Sequence, residues 1–421
     1  MNLIVWNDRA PIQMLPKNLQ DSIKLQDLVL RNNNEIISFC GLIECEGKLN
    51  IFLPRKMNSE DSHTSACHLM SSLLRYATNR QYIVSEDEAE EKLGLSSLSL
   101  MYEILTDYRE YGIYTRRSVR TTLNNGRSNW KKTIQRVLPA EGSGGRPIYP
   151  EIYTQKKFNS ASNDVSLIHS ELIKLCDEQL GWWLTGKPNG SIASDISAPK
   201  DFFISHGKKI HLLKSELQHI YSERDIRLIN NLIFLLEEQY SSSDGFIAGV
   251  KDFQYMWEHM INSVLGGIDI VNELPKPTYI FAENNKAIPS QKGMRPDIVL
   301  KLDDCKHFVV IDAKYYSATT SENSPGWSDI VKQFYYAKGL EIIYPKAKIK
   351  NYFAFPGHER VFSRIELNSK ILDQELLNLH FPPIHCVYID PSVVIENYSN
   401  RNTMLSYRKK LFSTIEDIHH S

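Results

Sequence analysis

Apolar and polar positions in the first part of the chain form two kinds of pattern. The short apolar runs Ile36–Ile43 and Leu49–Pro54 are bounded by polar turns, which predicts the strands of a small β-rich subdomain. From His68 to Tyr76 and from Ser99 to Tyr111, apolar positions recur at the spacing of an amphipathic helix, and Gly112 is a typical helix end. This part of the chain is therefore predicted to be α+β.

The periodicity changes further along the chain. Helical patterns from about Asp164 to Leu184 and from about Lys209 to Tyr240 predict a helical connector, and the polar stretch Ser241–Gly245 indicates a boundary. Beyond it, apolar runs of strand length alternate with helical patterns, which predicts an α/β region. The predicted elements are helices near Val250–Leu265 and Asp329–Gly339, and strands near Asp297–Leu300, Phe308–Ala313, Ile349–Phe355 and His385–Ile389.

Composition and charge restrict the class of protein. The 421 residues are 42% hydrophobic and 24% charged, which favours a folded chain of two or three domains. Because 49 basic residues face 50 acidic ones, affinity for a polyanion requires local clustering of charge. Six scattered cysteines without a C-x-x-C pair argue against a zinc site or a disulfide framework. With neither a signal-peptide pattern nor a membrane-length apolar run, we expect a cytoplasmic protein without a membrane partner.

One segment of the chain is strongly basic. Between Arg109 and Arg136 there are eight basic residues and one acidic residue, with the turn signal Asn124–Gly126 between them. This pattern fits a winged-helix-like unit that sets a helix against double-stranded DNA and contacts phosphates. The candidate DNA-binding residues are Arg116, Arg117, Arg120, Arg127, Lys131 and Lys132. Alternatively, these are solvated surface charges that pair with the acidic run Glu86–Glu91. We expect Trp130 to be a core anchor rather than a base-stacking residue.

The candidate chemistry lies in two apolar runs joined by polar residues 302–306, which predicts a hairpin. Alternate side chains of a strand point the same way, so Asp312 and Lys314 share a face. If Asp297 lies across the hairpin, two carboxylates converge on one hard cation such as Mg²⁺. Lys314 then orients or helps to deprotonate a water and stabilises the charged phosphate. The trio therefore favours phosphodiester hydrolysis.

These residues resemble the motif of the PD-(D/E)XK nuclease superfamily. The residues that match are Asp297, Asp312, Lys314 and the Gln333-Phe334-Tyr335-Tyr336 segment, which is similar to the Gln-x-x-(x)-Tyr helix of the RecB-like branch. The resemblance implies a bound Mg²⁺, for which Mn²⁺ can substitute, held by Asp297, Asp312 and Glu258 of the preceding helix. Alternatively, Glu258 is an exposed helix carboxylate, and Gln333 packs its helix against the sheet instead of acting in the site.

Further residues narrow the resemblance. Ile311–Tyr316 is similar to the active-site strand of McrC-like proteins and LlaJI-type restriction endonucleases, and Gly126–Ile134 resembles the Asn-Trp-x-x-Thr-Ile helix of the LlaJI type. The resemblance implies a metal-dependent DNA endonuclease of a prokaryotic restriction or anti-phage system. It also implies an AAA+ GTPase or ATPase partner, since this chain has no GxxxxGK[ST] motif of its own.

The expected organisation has three parts. Residues 1–160 form a β-rich and winged-helix-like DNA-binding region, residues 161–243 a helical connector, and residues 244–421 a PD-(D/E)XK core with a mixed sheet flanked by helices. The fold class is α/β within that core and α+β overall. A homo-oligomer is one route to double-strand cleavage. Two alternatives stay open: a RecB-like exonuclease or transposon-end nuclease, and a non-catalytic scaffold that binds DNA and recruits a motor.

Overall fold

The apolar runs and helical patterns form sheets and helices in the computed structural model, so the predicted mixture of helices and mixed sheets is confirmed. The structure describes residues 3–31, 35–57, 61–78, 92–160, 164–196, 204–241, 245–302 and 306–413; for residues 31, 116–120, 157–160 and 239–241 it describes the backbone alone. Within these ranges no helix has both the length and the apolar character needed to cross a membrane. Two units divide the chain: Met1–Leu98 with Gly186–Pro188 and Asp244–Ser421, and Ser99–Thr185 with Asn189–Ser243.

The described residues form helices and strands that are numbered here in chain order. The helices are α1 (Lys17–Leu25), α2 (Ser62–Thr78), α3 (Leu95–Tyr111), α4 (Trp130–Arg136), α5 (Asp164–Thr185), α6 (His206–Leu217), α7 (Glu223–Ser241), α8 (Gln254–Leu265), α9 (Trp327–Ile343), α10 (Gln374–His380), α11 (Pro391–Ser399) and α12 (Leu405–Ser413). The strands are β1 (Leu3–Asn7), β2 (Val29–Arg31), β3 (Glu35–Ile37), β4 (Phe39–Cys45), β5 (Lys48–Leu53), β6 (Lys92–Leu93), β7 (Arg116–Leu123), β8 (Arg127–Ser128), β9 (Ala140–Glu141), β10 (Pro147–Ile148), β11 (Tyr153–Ser160), β12 (Ile247–Lys251), β13 (Thr278–Ile280), β14 (Ala287–Pro289), β15 (Ile298–Lys301), β16 (His307–Ala313), β17 (Lys348–Pro356), β18 (Arg364–Ile365) and β19 (Ile384–Ile389).

The first sheet of the first unit has the order β1-β5-β4-β12-β6. Strands β1 and β5 are parallel, and the other neighbours are antiparallel. Gly41 of β4 and Gly249 of β12 are register partners, and the Phe39 ring lies against both. A Cβ atom on Gly41 would come within 2.3 Å of the Ala248 carbonyl oxygen, so glycine permits this close pairing.

The second sheet of this unit has the order β15-β16-β17-β19-β18. Strands β15 and β16 form the predicted antiparallel hairpin, and β16, β17 and β19 are parallel. Helix α9 packs on β16 and β17, and α8 packs on β15 and β16. Helix α11 contacts both α2 and α8, while α2 contacts β4 and β5, so a layer of helices joins the two sheets of this unit. Phe308, Phe353 and Phe355 are fully buried in this core.

The first unit differs from the expected three-part organisation. Residues after 243 complete a sheet that the first 53 residues begin, because β12 pairs with β4. The predicted helix from Val250 to Leu265 begins only at Gln254, since Val250 belongs to β12. Strand β12 has only five residues and contains Gly249, so its sequence gives a weak signal for a strand. Neither β12 nor its pairing with β4 was therefore predicted.

The second unit contains the three-stranded sheet β7-β11-β8, the short helix α4 and the helices α5, α6 and α7. The prediction of one helix over Lys209–Tyr240 is wrong, because residues 218–222 separate α6 from α7. The Ser222 hydroxyl accepts the backbone N–H of Asp225 at 3.4 Å near the start of α7. Helices α6 and α7 pack against each other and bury Leu213 and Leu232.

Candidate functional site

The β15–β16 hairpin brings the two predicted aspartates together. Ile298 is the register partner of Ile311, so Asp297 and Asp312 lie opposite each other where the hairpin opens. The backbone N–H of Ala313 donates to Asp297 Oδ2 at 2.9 Å, which fixes the first carboxylate against the second strand. Asp312 is 6% exposed. The apolar strands thus position a pair of carboxylates at the edge of the core.

A third carboxylate acts on this pair from α8. The pKa of Asp297 is raised well above its ordinary value by burial, then by the negative charges of Glu258 and Asp312. Gln254, one turn earlier on α8, donates its side-chain amide to Glu258 Oε1 at 3.3 Å. The negative charges of Glu258 and Asp312 therefore both act on Asp297.

Lys314 is held between two acidic partners. Its Nζ lies 3.0 Å from Asp312 Oδ1 and 3.1 Å from Asp329 Oδ1. Burial lowers the pKa of Lys314, but the charges and hydrogen bonds of these two carboxylates outweigh burial and raise it above its ordinary value. Lys314 is therefore an ammonium ion in a fixed position. Asp329 was not predicted, although it precedes Gln333 by four residues, which is the spacing of one helix face.

Helix α9 directs one face toward the site. Asp329, Gln333 and Tyr336 follow one another at intervals of four and three residues, so their side chains share that face. The charges of Asp297 and Asp312 contribute to raising the pKa of Tyr336 to about 12, after burial as the largest cause. Gln333 is fully buried, and neither its Oε1 nor its Nε2 has a hydrogen-bond partner among the described residues.

Tyr315, directly after Lys314, belongs to a buried network that was not predicted. Its hydroxyl accepts the backbone N–H of Arg55 at 2.9 Å and lies 3.9 Å from Cys40 Sγ. The Arg55 guanidinium donates to Ser317 Oγ at 2.9 Å. Tyr315 is 4% exposed, and burial is the main cause that raises its pKa. The network links the first sheet to the segment that carries Lys314.

The candidate site offers carboxylate oxygens to a divalent cation. Among the described residues, no group of three or more His, Cys, Asp or Glu side chains is arranged to hold a metal ion. Mg²⁺ requires fewer protein ligands, since it binds through one or two carboxylates and keeps several waters. Asp297 and Asp312 supply hard oxygen donors, and a cation relieves the repulsion that raises the pKa of Asp297. The donor set therefore fits a hard divalent cation.

The predicted DNA-binding residues lie in one part of the second unit. Arg116, Arg117 and Arg120 belong to β7, and the structure describes only their backbone. Arg127 on β8 and Lys131 on α4 are exposed. Lys132 is partly buried, donates to Thr121 Oγ1 at 3.3 Å and lies 5.2 Å from the centroid of the Tyr153 ring. The acidic run Glu86–Glu91, their alternative partner, is outside the described residues.

Trp130 is more exposed than its sequence context predicts. Trp130 is 52% exposed and contacts Tyr149 edge-on at 6.2 Å between ring centroids, so the expectation of a core anchor is wrong. Trp130 is the first residue of α4, a helix of only seven residues that begins after the N-cap Asn129. Asn129 accepts the backbone N–H of Lys132 at 3.1 Å, and the buried residue of the helix is Thr133.

Comparison with known proteins identifies the family. The family model of the LlaJI restriction endonuclease matches residues 39–391, a span that contains Glu258, Asp297, Asp312, Lys314 and Gln333. The chain is therefore a restriction endonuclease by family. It belongs to the LlaJI restriction endonuclease family, and the resemblance to that type is confirmed.

The individual proteins that resemble this chain have low sequence identity to it. The type II restriction enzyme BsuMI component YdjA of Bacillus subtilis (strain 168) is 24% identical over 416 residues, covering 92% of this chain and 85% of the relative. A solved structure of the tetradecameric assembly of Thermococcus gammatolerans McrB AAA+ hexamers with bound McrC is similar over 95% of this chain and 99% of the solved chain, at 14% identity and a TM-score of 0.42. A structure of the T. gammatolerans McrBC complex is similar over 61% of this chain and 84% of the solved chain, at 12% identity and a TM-score of 0.30.

Proposed function

We propose that this chain is a Mg²⁺-dependent DNA endonuclease of a prokaryotic restriction or anti-phage defence system, with a core of the PD-(D/E)XK type. The observation that carries the proposal is the convergence of Asp297, Asp312 and Lys314 at one end of a buried hairpin. The negative charge of Glu258 also acts on Asp297, which makes Glu258 the candidate for a third carboxylate. Membership of a restriction endonuclease family supports DNA as the substrate.

The carboxylates would hold the cation. Asp297, Asp312 and Glu258 would supply the oxygen donors, and Mn²⁺ would substitute for Mg²⁺ because it accepts the same donors. When bound, the metal polarises a phosphoryl oxygen and lowers the pKa of a water. A bound cation would lower the raised pKa of Asp297, because it would offset the negative charges of Glu258 and Asp312.

Lys314 would act on the attacking water and on the phosphate. The carboxylates of Asp312 and Asp329 favour its ammonium form and raise its pKa. Lys314 therefore donates hydrogen bonds and stabilises the negative charge that develops on the phosphate. Asp312 and Asp329 fix the position of the ammonium in advance, which reduces reorganisation during the reaction.

Affinity for double-stranded DNA is assigned to the basic segment of the second unit, which we propose acts as a winged-helix-like module. Exposed Arg127 and Lys131 contact phosphates, as do the arginines of β7. Replacing both Arg127 and Lys131 with alanine is expected to lower the slope of log affinity against log salt by about 2, since each phosphate contact contributes about 0.9. Fluorescence anisotropy with a labelled duplex at several salt concentrations measures that slope.

We further propose that the chain works with an AAA+ GTPase or ATPase subunit. Its sequence has no GxxxxGK[ST] motif, and it resembles McrC-like proteins at Ile311–Tyr316. The B. subtilis relative is named a component of its enzyme. A second copy of the chain is one way to supply the second active site for double-strand cleavage.

The test is cleavage of supercoiled plasmid by the wild type and by Asp312→Asn. Asp21→Asn, which changes an exposed carboxylate of α1, is the matched control. With Mg²⁺ or Mn²⁺, the wild type and the control should nick and linearise the plasmid, whereas Asp312→Asn and EDTA should abolish cutting. A folded Asp312→Asn variant that cuts as fast as the wild type would contradict the proposed site.

The alternatives give different results in the same assay. An exonuclease of the RecB-like kind, or a nuclease that acts at transposon ends, leaves covalently closed circular DNA intact and degrades or trims linear DNA. A non-catalytic scaffold shows no cutting, including with an NTPase partner added. Isothermal titration with Mn²⁺ separates a nuclease from a scaffold. In a nuclease the heat of Mn²⁺ binding should be lost in Asp312→Asn, whereas a scaffold should show no binding that depends on Asp312.

A further inference from the structure

An unusual hairpin precedes the candidate site. Among the strands that the structure describes, β13 and β14 pair only with each other, and every residue of both strands is exposed. Four large apolar side chains lie on this hairpin: Tyr279 is 63% exposed, Ile280 69%, Phe281 51% and Ile288 42%. A two-stranded hairpin with both faces in water buries little of its own apolar surface. Exposed apolar side chains that lie together are typical of a binding surface.

The base of the hairpin is fixed to the core. Leu274, before the hairpin, is 3% exposed and packs in the core cluster beneath α9. The backbone N–H of Ser290 donates to the Pro277 carbonyl at 2.8 Å, and that of Met294 to the Pro275 carbonyl at 3.4 Å. Met294 packs in the same cluster as Leu274. The exposed strands therefore project from an anchored base.

The hairpin leads directly into the carboxylate pair. After Met294 the chain continues through exposed Arg295 and buried Pro296 to Asp297. Asp297 is itself fixed by the backbone N–H of Ala313. Two fixed points, Met294 at the base of the hairpin and Asp297, are thus three residues apart in the chain, which limits the distance between their Cα atoms to about 11 Å.

The charge of this segment selects the class of ligand. Residues 276–295 contain four basic residues, Lys276, Lys286, Lys292 and Arg295, and one acidic residue, Glu283. In the described part of the chain, the side chains of Lys286, Lys292 and Arg295 make no hydrogen bond or ion pair. Free cations beside exposed aromatic rings complement a polyanion that has stacked bases.

The two strands present these groups on one face. Tyr279 and Ile288 are register partners, so their side chains lie on the same side of the hairpin. Phe281 is two residues beyond Tyr279, and its backbone N–H donates to the Lys286 carbonyl at 2.9 Å, which extends the pairing. Two aromatic rings, an isoleucine and a lysine therefore share one face.

We propose that this hairpin binds the DNA duplex next to the scissile phosphate, with Tyr279, Phe281 and Ile288 contacting or wedging bases and the lysines contacting the backbone. This inference rests on the proposed DNA endonuclease function and adds a contact in the first unit, separate from the basic segment of the second. Proteins that insert apolar side chains into DNA unstack a base step and gain contact surface in return.

The test measures DNA binding without cutting. The full-length chain is titrated against a labelled 30-base-pair duplex in EDTA, and fluorescence anisotropy gives the dissociation constant. The aromatic variant is Tyr279→Ala/Phe281→Ala, and its control is Leu376→Ala/Leu379→Ala, which removes exposed apolar side chains from α10. Because all four side chains are exposed, the variants should keep the wild-type circular dichroism and unfolding midpoint.

A second pair of variants tests the charges. Lys286→Ala/Lys292→Ala removes two free lysines of the hairpin segment, and Lys338→Ala/Lys370→Ala removes two exposed lysines elsewhere in the unit. We expect the aromatic variant to bind at least about tenfold more weakly, as for the loss of a base-stacking residue. The hairpin lysine variant should lower the salt slope by about 2, and neither control should change either quantity.

Each other outcome overturns the inference. Equal affinity of the wild type and both hairpin variants, or no binding by the wild type, removes DNA as the ligand of the hairpin. A dimer that sedimentation velocity detects in the wild type and not in the aromatic variant, with DNA affinity unchanged, assigns the hairpin to contact with a second copy. Failure of the proposed nuclease function is distinct, since plasmid would stay uncut while the hairpin variants still bound the duplex more weakly.

Discussion

Gln333→Met is the substitution that best separates stability from function at the candidate site. Gln333 is 0% exposed on the inner face of α9, and both polar atoms of its side chain lack a partner among the described residues. Methionine has a similar length and flexibility and carries no amide. The substitution therefore removes two buried, unpaired polar atoms with little change in packing volume.

The expected change in stability has a definite sign. A buried polar group without a partner costs about 1–3 kcal/mol, and Gln333 has two such atoms, so Gln333→Met should raise the free energy of unfolding by about 2 kcal/mol. Cutting should change in the opposite direction. If the amide hydrogen-bonds to a charged phosphate or an ordered water when DNA is bound, its loss removes about 1.5–3 kcal/mol, which is roughly a tenfold to hundredfold slower rate.

Two measurements on the same preparations test this reasoning. Urea unfolding of the full chain gives the change in stability, and the rate of plasmid nicking at saturating Mg²⁺ gives the change in activity. Leu340→Met is the control, because Leu340 is a fully buried residue of the same helix and the exchange conserves volume. It should leave the nicking rate unchanged and alter stability by less than about 1.5 kcal/mol.

Two results would refute the argument. If Gln333→Met destabilises the chain by more than the Leu340→Met control, the amide already has partners in the folded protein. If it stabilises the chain and nicks at the wild-type rate, Gln333 packs the helix and has no part in the site.

Three further predictions concern other residues. Asp329→Asn leaves Lys314 with one carboxylate partner, so nicking should slow by about tenfold with little change in unfolding; an unchanged rate would show that Asp312 alone positions the ammonium. Tyr315→Phe deprives the Arg55 N–H of its acceptor and should lower stability by about 1–3 kcal/mol in urea unfolding, a loss that an equally stable variant would contradict. Burial lowers the pKa of His169 from 6.5 to about 4, so its contribution to stability is complete above pH 6.5 and disappears as the pH falls toward 4. His169→Gln should flatten the dependence of the urea midpoint on pH in that range, and an unchanged slope would argue against the lowered pKa.

The part of the site that the sequence predicts is the part with local periodicity. The spacing of two between Asp312 and Lys314, and the apolar runs on either side of residues 302–306, specify a hairpin without any information from distant residues. The same holds for α9, where the helical spacing places Gln333 on an inward face. These predictions need only the geometry of one strand or one helix.

The rest of the site depends on contacts between distant residues. Strand β12 pairs with β4 across some two hundred residues, and periodicity carries no information about which strand is the partner. Tyr315 depends on Arg55 in the same way, because the hydrogen bond joins parts of the chain that are 260 residues apart. The exposure of Trp130 was not predicted either, because residue type alone favours burial of a tryptophan. Trp130 lies on a helix of only seven residues, which has a small face to pack against the core.

Two unfavourable groups of the first unit, Asp297 and Gln333, lie at the elements that form the candidate site, the β15–β16 hairpin and α9. Asp297 has a raised pKa because of burial and its acidic neighbours, and the side-chain amide of Gln333 has no hydrogen-bond partner in the described part of the chain. A divalent cation would offset the negative charge around Asp297. A phosphate or an ordered water would supply a hydrogen-bond partner for the Gln333 amide. Both groups therefore cost stability in the free chain and favour binding of the ligands that the proposed reaction needs. It follows that metal and DNA together should raise the unfolding temperature of Asp312→Asn much less than that of the wild type.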